Sequence, residues 1–182
     1  MADLDDGDLD PEFEDLDREF DDEMREIRGA LLDDTIATLT PAEPICLRAT
    51  ATVAEAIARM LERRQAGVLI VDDAGRLTGI FTERDVLTRV AGVGRDPART
   101  SLREVMTPNP EALTAGDRIA YAIHSMSVAG YRTVPLVDGE HRPVGVVTVS
   151  DVIRWLADLY PEAVLNLPPA DRLKNPHAID AG

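Results

Sequence analysis

The sequence is poor in the residues from which many sites and scaffolds are built. Cys46 is the only cysteine among 182 residues, which excludes an internal disulfide and a multi-cysteine zinc site. The three histidines, His124, His141 and His177, are too scattered to indicate a catalytic metal. No apolar run approaches the roughly 18 residues of a membrane span, and the acidic N-terminus lacks the basic start of a secretory signal. We therefore expect a soluble, cytoplasmic protein without a metal.

Positive charge is also scarce, and the net charge of −15 is unevenly distributed. Residues 1–34 hold 16 acidic side chains against three arginines, whereas the remaining 148 residues carry a net charge of only −2. Nucleic-acid-binding proteins concentrate basic residues on one face, and this chain has no such cluster. We expect no nucleic-acid partner.

The acidic leader, residues 1–34, contains one regular apolar pattern. Its apolar residues recur at intervals of three and four, which predicts an amphipathic helix that docks on a surface. That surface is either an apolar patch of its own domain or a partner protein. The residues of the pattern are Phe13, Leu16, Phe20, Met24, Ile27 and Leu31.

The rest of the chain is organised by an internal repeat. Val53–Val90 aligns without a gap with Ile119–Leu156 at an offset of 66 residues, and 12 of the 38 pairs are identical. Unrelated sequences of ordinary composition would match at about two or three positions. Two copies are too few for a solenoid, so the repeat predicts two units packed about a pseudo-two-fold axis.

Each copy shows the same order of elements. Thr52 and Glu55 form a capping-box pattern ahead of apolar residues at helical spacing, which predicts a first helix. Two short apolar strands joined by a turn follow, and then a second helix. With a short extended segment in front, each unit is β-α-β-β-α. The predicted strands and second helices are Ile45–Leu47, Val68–Val71, Leu77–Phe81, Glu83–Val90, Ala112–Leu113, Val134–Val137, Val144–Val147 and Val149–Leu156.

A Gly-apolar-apolar-Thr-x-x-Asp motif occurs once in each copy, as Gly79–Asp85 and Gly145–Asp151. Taken alone, Thr-x-x-Asp is also the spacing of a helix cap, so a purely structural role stays open. Together with the order of elements, the motif resembles the cystathionine-β-synthase (CBS) domain over about residues 35–159. The resemblance implies an α/β (α+β) fold of two β-α-β-β-α CBS units, a pair often called a Bateman module. The expected division is leader 1–34, first unit 35–95, second unit 96–159 and tail 160–182.

The resemblance also implies a ligand, because CBS pairs bind AMP, ADP, ATP or S-adenosylmethionine in clefts between the two units. The Asp would accept hydrogen bonds from ribose hydroxyls, and the free N–H groups of the helix start would favour phosphate. Glycine would let the strand backbone approach a flat base. The ligand-binding residues implied by the resemblance are Thr40, Ile45, Ala66, Gly67, Ile80, Thr82, Arg84, Asp85, Arg132, Thr133, Thr148 and Asp151.

The two clefts are not expected to be equivalent. The first copy has small or apolar residues where a base should lie, and Arg84 is available for phosphate. In the second copy Glu111 would lose hydration against an adenine and repel phosphates. Arg132 could reach the phosphates of a ligand in either cleft, or it is simply a solvated arginine. We therefore expect Asp85 to matter more for binding than Asp151.

Other candidate residues give weaker signals. Cys46 lies in an apolar strand, which favours a buried, inert thiol over a nucleophile. Trp155, Tyr121 and Tyr131 are interpreted as packing residues rather than as stacking platforms for a base.

These observations favour a regulatory module over an enzyme, since no nucleophile–base pair or metal cluster is visible. In this interpretation a CBS pair binds an adenosine-type ligand and signals its occupancy to a protein partner, and the family resemblance implies a homodimer formed through helical faces. The alternative is an interaction protein with empty clefts, which acts through its dimer surface and its acidic N-terminal helix.

Overall fold

The computed structural model describes residue 25 and residues 29–159. Residues 29–33 are helical, and Ala30 and Leu31 pack against the core of the second unit. The rest of the apolar pattern predicted for the leader, from Phe13 to Ile27, lies outside the described residues, as does the tail.

Each copy of the repeat folds into the predicted order of elements. Each strand of the two hairpins is one or two residues longer than predicted. The second helix of the first copy is irregular: one α-helical turn leads into a π-helix and then a 3₁₀ turn. The first unit contains β1 (Cys46–Arg48), α1 (Val53–Arg63), β2 (Gly67–Val71), β3 (Leu77–Thr82), and α2 (Glu83–Asp85) with its π continuation Val86–Val90 and 3₁₀ turn Ala91–Val93. Next come α3 (Leu102–Val105), β4 (Thr107–Pro108), α4 (Ile119–Ala129), β5 (Thr133–Val137), β6 (Pro143–Thr148) and α5 (Val149–Leu159).

The strands form two small sheets of matching order. In the first sheet β1 is parallel to β2, β2 is antiparallel to β3, and β3 is antiparallel to β4. The second sheet pairs β5 with β6, and single-residue bridges extend it, from Leu113 to Leu136 on one side and from Ala42 to Val146 on the other. The outer partner beside β3 and the one beside β6 therefore each come from the segment that precedes the opposite unit, whereas the partners beside β2 and β5 come from the same unit.

The two units exchange the segments that lead into them, residues 35–45 and 101–111. The 3₁₀ helix Ile36–Leu39 packs into the core of the second unit, whereas α3 packs into the core of the first. These two helices are themselves 66 residues apart, so the exchange is reciprocal, as a pseudo-two-fold relation requires. The two units consequently form one interlocked body.

Three apolar clusters hold this body together. In the first unit, fully buried Val53, Phe81 and Leu102 anchor the first cluster, and Ile36, Ile119 and Trp155 belong to the cluster of the second unit. A third cluster joins the two sheets, and it consists of Leu69, Leu77, Ile80, Val137 and Val146. This sheet-to-sheet contact places the carboxyl ends of β3 and β6 beside residues of the opposite unit.

The hairpin turns are stabilised by equivalent aspartates, Asp72 and Asp138. Each Oδ1 accepts backbone N–H bonds from the residues two and four positions later, at 2.9 and 2.8 Å. The backbone N–H of Arg76 lowers the pKa of Asp72, and the backbone N–H of Arg142 lowers that of Asp138.

Acid titration should expose the contribution of these turns. A carboxylate whose pKa is lower in the folded state stabilises the fold above its unfolded pKa, about 3.9, and this stabilisation is lost as pH falls through the folded pKa. We expect the double variant Asp72→Asn/Asp138→Asn to lose less unfolding free energy than wild type between pH 5 and pH 2.5. Denaturant unfolding across this range measures the difference, with Asp158→Asn, on an exposed face of α5, as the control. Parallel pH curves would contradict the prediction.

Candidate functional site

The two Thr-x-x-Asp motifs lie at the junctions from β3 to α2 and from β6 to α5, and in both copies they cap the helix. Asp85 Oδ2 accepts from the backbone N–H and the hydroxyl of Thr82, both at 2.9 Å. Asp151 Oδ2 accepts the same two bonds from Thr148, at 2.8 and 2.7 Å. The capping role that the spacing left open is therefore present in both units, and it leaves one carboxylate oxygen of each aspartate for other partners.

That remaining oxygen meets an arginine in each copy, but the two arginines are held differently. Arg89 Nε lies 3.2 Å from Asp85 Oδ1, and Arg89 Nη1 donates to the Val105 carbonyl at 2.9 Å. Arg154 Nη1 lies 3.0 Å from Asp151 Oδ1. The Arg154 side chain is 67% exposed, against 44% for Arg89. The first motif is the more enclosed and the more rigidly held.

A cleft of about 450 Å³ opens beside Asp85 between the two units. This volume is within the range of small-molecule sites. One wall comes from Ala66, the end of β3 and the start of α2. The opposite wall comes from β4, the segment after it and the start of β5.

Most of the residues proposed from the sequence meet in this cleft, and they come from both units. Those that line it are Ala66, Ile80, Thr82, Arg84, Asp85, Arg132 and Thr133. Five proposed residues do not line it. Thr40 is exposed at the end of the 3₁₀ helix, Ile45 is buried in the first core, and Gly67 lies on β2. Thr148 and Asp151 lie at the β6–α5 junction of the other unit.

The structure corrects the assignment of Glu111. The sequence placed Glu111 in the second cleft with Asp151, but it lines the cleft that contains Asp85. There Glu111 Oε1 accepts a 3.0 Å bond from the Ser125 hydroxyl, which is buried on α4. The cause is the exchange described above, because the segment leading into the second unit pairs with β3 of the first. Ala42 and Pro108 occupy equivalent positions of the repeat. Through the same exchange, Ala42 pairs with β6 of the second unit and Pro108 with β3 of the first.

Several lining residues were not proposed from the sequence, and Arg89 and Tyr131 are the most informative. Tyr131, interpreted as a packing residue, is 43% exposed and lines the cleft; Tyr121 is 58% exposed. Only Trp155 is buried as expected, and its Nε1 donates to Asp34 at 3.2 Å. The i, i+4 spacing of Asp85 and Arg89 could have indicated their pairing. The other missed residues are Glu83, Leu87, Thr88, Thr107, Pro110, Glu111, Gly130 and Pro135.

The motif glycines have a packing role that differs from the one expected. A Cβ on Gly79 would lie 2.6 Å from Met106 Sδ and 3.3 Å from the Thr107 carbonyl oxygen. A Cβ on Gly145 would lie 3.1 Å from Pro41 Cβ. Each glycine therefore admits the exchanged segment of the opposite unit.

Substitution of Gly79 should test this role. We expect Gly79→Ala to destabilise the protein by about 1–3 kcal/mol, the usual cost of overpacking. Gly139→Ala is the matched control, because a Cβ there meets no atom within 4 Å and Gly139 is not among the glycines with positive φ. Urea unfolding measures both variants, and equal midpoints would show that the Met106–Thr107 segment does not need the glycine.

Cys46 is exposed on β1, contrary to the buried position expected for it. Successive side chains of a strand point to opposite faces of the sheet. On β1, Cys46 and Arg48 are exposed and Leu47 between them is half-buried. Local desolvation, and secondly the Glu43 carboxylate, raise the pKa of the thiol, which favours its protonated form.

Comparison with known proteins identifies the architecture. The family model for the CBS domain matches residues 36–92 and again 102–158. The chain belongs to the CBS-domain family. Its fold of two CBS units is thus the one that the repeat and the motif predicted.

Two curated relatives share the CBS region and are much longer than this chain. Over 107 residues, 59% of this chain, it is 35% identical to the meiotically up-regulated gene 70 protein of Schizosaccharomyces pombe. Over 124 residues, 68% of this chain, it is 31% identical to the CBS domain-containing protein CBSCBSPB2 of Arabidopsis thaliana. The matches cover only 14% and 22% of those proteins.

Solved structures with this fold include ligand complexes. The CBS domain pair of protein MJ0100, in complex with 5′-methylthioadenosine and S-adenosyl-L-methionine, is 25% identical with a TM-score of 0.61. The alignment covers 68% of this chain and 99% of that one. CBSX2, in complex with AMP, is 18% identical with a TM-score of 0.58 over 69% of this chain and 97% of CBSX2, a likeness that concerns the fold alone.

The described residues offer no candidate for a membrane span or for a metal site. No helix there is long and apolar enough to cross a membrane. The same residues contain no group of three or more His, Cys, Asp or Glu side chains placed to hold a metal ion.

Proposed function

We propose that this CBS pair is a non-catalytic regulatory module whose first cleft binds an adenosine-containing ligand. The single observation that carries the proposal is the cleft itself. It brings the Thr82–Asp85 motif of one unit against Arg132 and Thr133 of the other in a cavity of about 450 Å³. The MJ0100 pair, which has the same fold, holds adenosine-based ligands.

The cleft offers a distinct surface for each part of such a ligand. Ile80, Pro110 and Pro135 supply apolar contact for a base, and the exposed ring of Tyr131 offers a stacking face. Asp85 is a hydrogen-bond acceptor for ribose hydroxyls. These groups lie on three different segments, so a bound ligand would contact both units at once.

Two arginines favour a ligand that carries phosphate. Arg84 and Arg132 line the cleft with exposed side chains, and neither forms an ion pair with another described residue. An available guanidinium binds phosphate oxygens through two parallel hydrogen bonds, whereas it repels the sulfonium of S-adenosylmethionine. AMP, ADP and ATP are therefore our preferred ligands, with S-adenosylmethionine as the competing class.

Calorimetric titration of the purified protein tests the proposal. We expect AMP, ADP or ATP to bind more tightly than S-adenosylmethionine, and GMP to bind more weakly than AMP. Arg132→Ala should weaken the phosphate-bearing ligands and leave adenosine nearly unchanged. Absence of heat with every adenosine compound would refute the proposal.

An interaction protein with empty clefts is the second candidate, and exposed apolar side chains favour it. Val128 on α4 is 73% exposed and Ile153 on α5 is 62% exposed, and Leu61 on α1 is 74% exposed. Val128 and Ile153 lie on helices that pack against each other, and exposed apolar side chains of this kind suit association with a second copy. In either case we propose a homodimer, and light scattering that shows a monomer at micromolar concentration would count against it.

The output element of the module would be either its dimer surface or the acidic leader. Trp155 donates to Asp34, Arg118 Nη1 lies 3.1 Å from Asp33 Oδ1, and Leu31 packs on the second core. These contacts support docking of the leader on its own domain, so deletion of residues 1–34 should lower the Tm. An unchanged Tm with loss of a bound partner would favour a partner-binding leader.

A further inference from the structure

Neighbouring side chains already contact both carboxylate oxygens of Asp85. An ionised carboxylate has two oxygens with about four lone-pair positions. The two bonds from Thr82 occupy Oδ2, and the Arg89 guanidinium forms an ion pair with Oδ1, with Nε at 3.2 Å. Oδ1 is therefore the oxygen left for a ligand, and Arg89 already lies against it, whereas the 2′- and 3′-hydroxyls of a ribose donate two hydrogen bonds.

Arg89 is fixed in this competing position by a second contact. Its Nη1 donates to the carbonyl of Val105, the last residue of α3, at 2.9 Å. Val105 is fully buried in the first core and thus a rigid anchor. Asp85 itself is only 7% exposed, so solvent has little access to this carboxylate.

We propose that Arg89 determines how strongly the first cleft distinguishes ribose from deoxyribose, by competing with the ligand for Asp85 Oδ1. The inference rests on the proposed function, since it concerns the same cleft. A ribose that engages Asp85 with both hydroxyls needs both lone-pair positions of Oδ1 and must displace the Arg89 guanidinium, whereas a 2′-deoxyribose needs only one position. Arg89 therefore reduces the advantage of the second hydroxyl.

The helix that carries Arg89 distinguishes the first unit from the second. Val86–Val90 is wound as a π-helix and contains Arg89, a conformation frequent at functional sites. The equivalent part of the second unit is regular α-helix, and the residue 66 positions after Arg89 is Trp155. Its aspartate instead pairs with the more exposed Arg154.

Calorimetry with AMP and 2′-deoxy-AMP tests the inference in the full-length protein. In Arg89→Ala we expect AMP to bind about 3- to 10-fold more tightly relative to 2′-deoxy-AMP than in wild type, the range for one net hydrogen bond. Arg89→Lys retains a donor and should restore part of the wild-type ratio. Arg84→Ala is the matched control, because Arg84 lines the cleft without bonding Asp85 and should change both affinities equally.

The ratio of AMP affinity to 2′-deoxy-AMP affinity distinguishes competition for Asp85 from a general effect of Arg89 on the cleft. Loss of the Val105 anchor or of cleft charge would change both affinities by the same factor, and Tm values without ligand report any loss of stability. An unchanged or lower ratio in Arg89→Ala would overturn the inference while the nucleotide site stands. If wild type binds neither nucleotide, the proposed function fails, and the inference with it.

Discussion

Replacement of Asp85 by alanine is expected to weaken AMP binding about 10- to 150-fold. This range corresponds to about 1.5–3 kcal/mol, typical for a hydrogen bond to a charged group. Asp151→Ala should have a smaller effect, because Asp151 does not line the cleft that collects Arg84, Arg132 and Thr133. Calorimetric Kd values for the two variants provide the comparison.

Because both aspartates also cap helices, stability must be measured beside affinity. Loss of a cap costs about 0.5–2 kcal/mol in either variant, so a lower Tm alone says nothing about binding. Asp85→Asn keeps an oxygen for the Thr82 bonds and serves as a milder variant. If Asp151→Ala abolished AMP binding while Asp85→Ala left it intact, our ranking of the two sites would be wrong.

Leu102→Ala should destabilise the protein by about 2–5 kcal/mol, the range for a large-to-small change in a core. Leu102 is fully buried on α3, and its neighbours belong to the first unit although it precedes the second in the chain. Hydrogen exchange should therefore show loss of protection first in α1 and β2. Ile36→Ala should mirror this result, with loss in α4 and β5, because Ile36 packs on Ile119 in the second core.

The exchange of segments between the units makes this pattern distinctive. Without it, each substitution would loosen the unit that follows it in sequence. Val93→Ala is the control, since this side chain on the 3₁₀ turn Ala91–Val93 is 62% exposed and its loss should cost less than about 0.5 kcal/mol. Early loss of protection in α4 and α5 after Leu102→Ala would contradict the packing described here.

The repeat predicted which residues are equivalent but not which of them meet. Ile45 and Glu111 occupy equivalent positions, yet Ile45 is buried in a core while Glu111 lines the first cleft. The sequence pattern assigned each leading segment to its own copy because the two are adjacent in the chain. The hydrogen bonds of Ile80 with Thr107 and of Ala42 with Val146 assign them to the opposite copy.

The sequence pattern also did not predict the solvent exposure of individual residues. An apolar strand such as Ile45–Leu47 predicted a buried Cys46, but a side chain on an outer strand is exposed wherever no further layer covers it. The partners of Arg89 were also only partly predictable. Its i, i+4 spacing indicates the pairing with Asp85, but no local pattern indicates its hydrogen bond to the Val105 carbonyl, 16 residues away.

The sequence by itself determined the two β-α-β-β-α units, their offset of 66 residues and the capped helices at Thr82 and Thr148. These features depend on hydrophobic periodicity and on hydrogen bonds between residues three apart, which are local properties of the chain. Only the tertiary structure decided which segments are exchanged and which side chains share a cleft. Those contacts join residues far apart in sequence, and they follow from the way two sheets bury their apolar faces against each other.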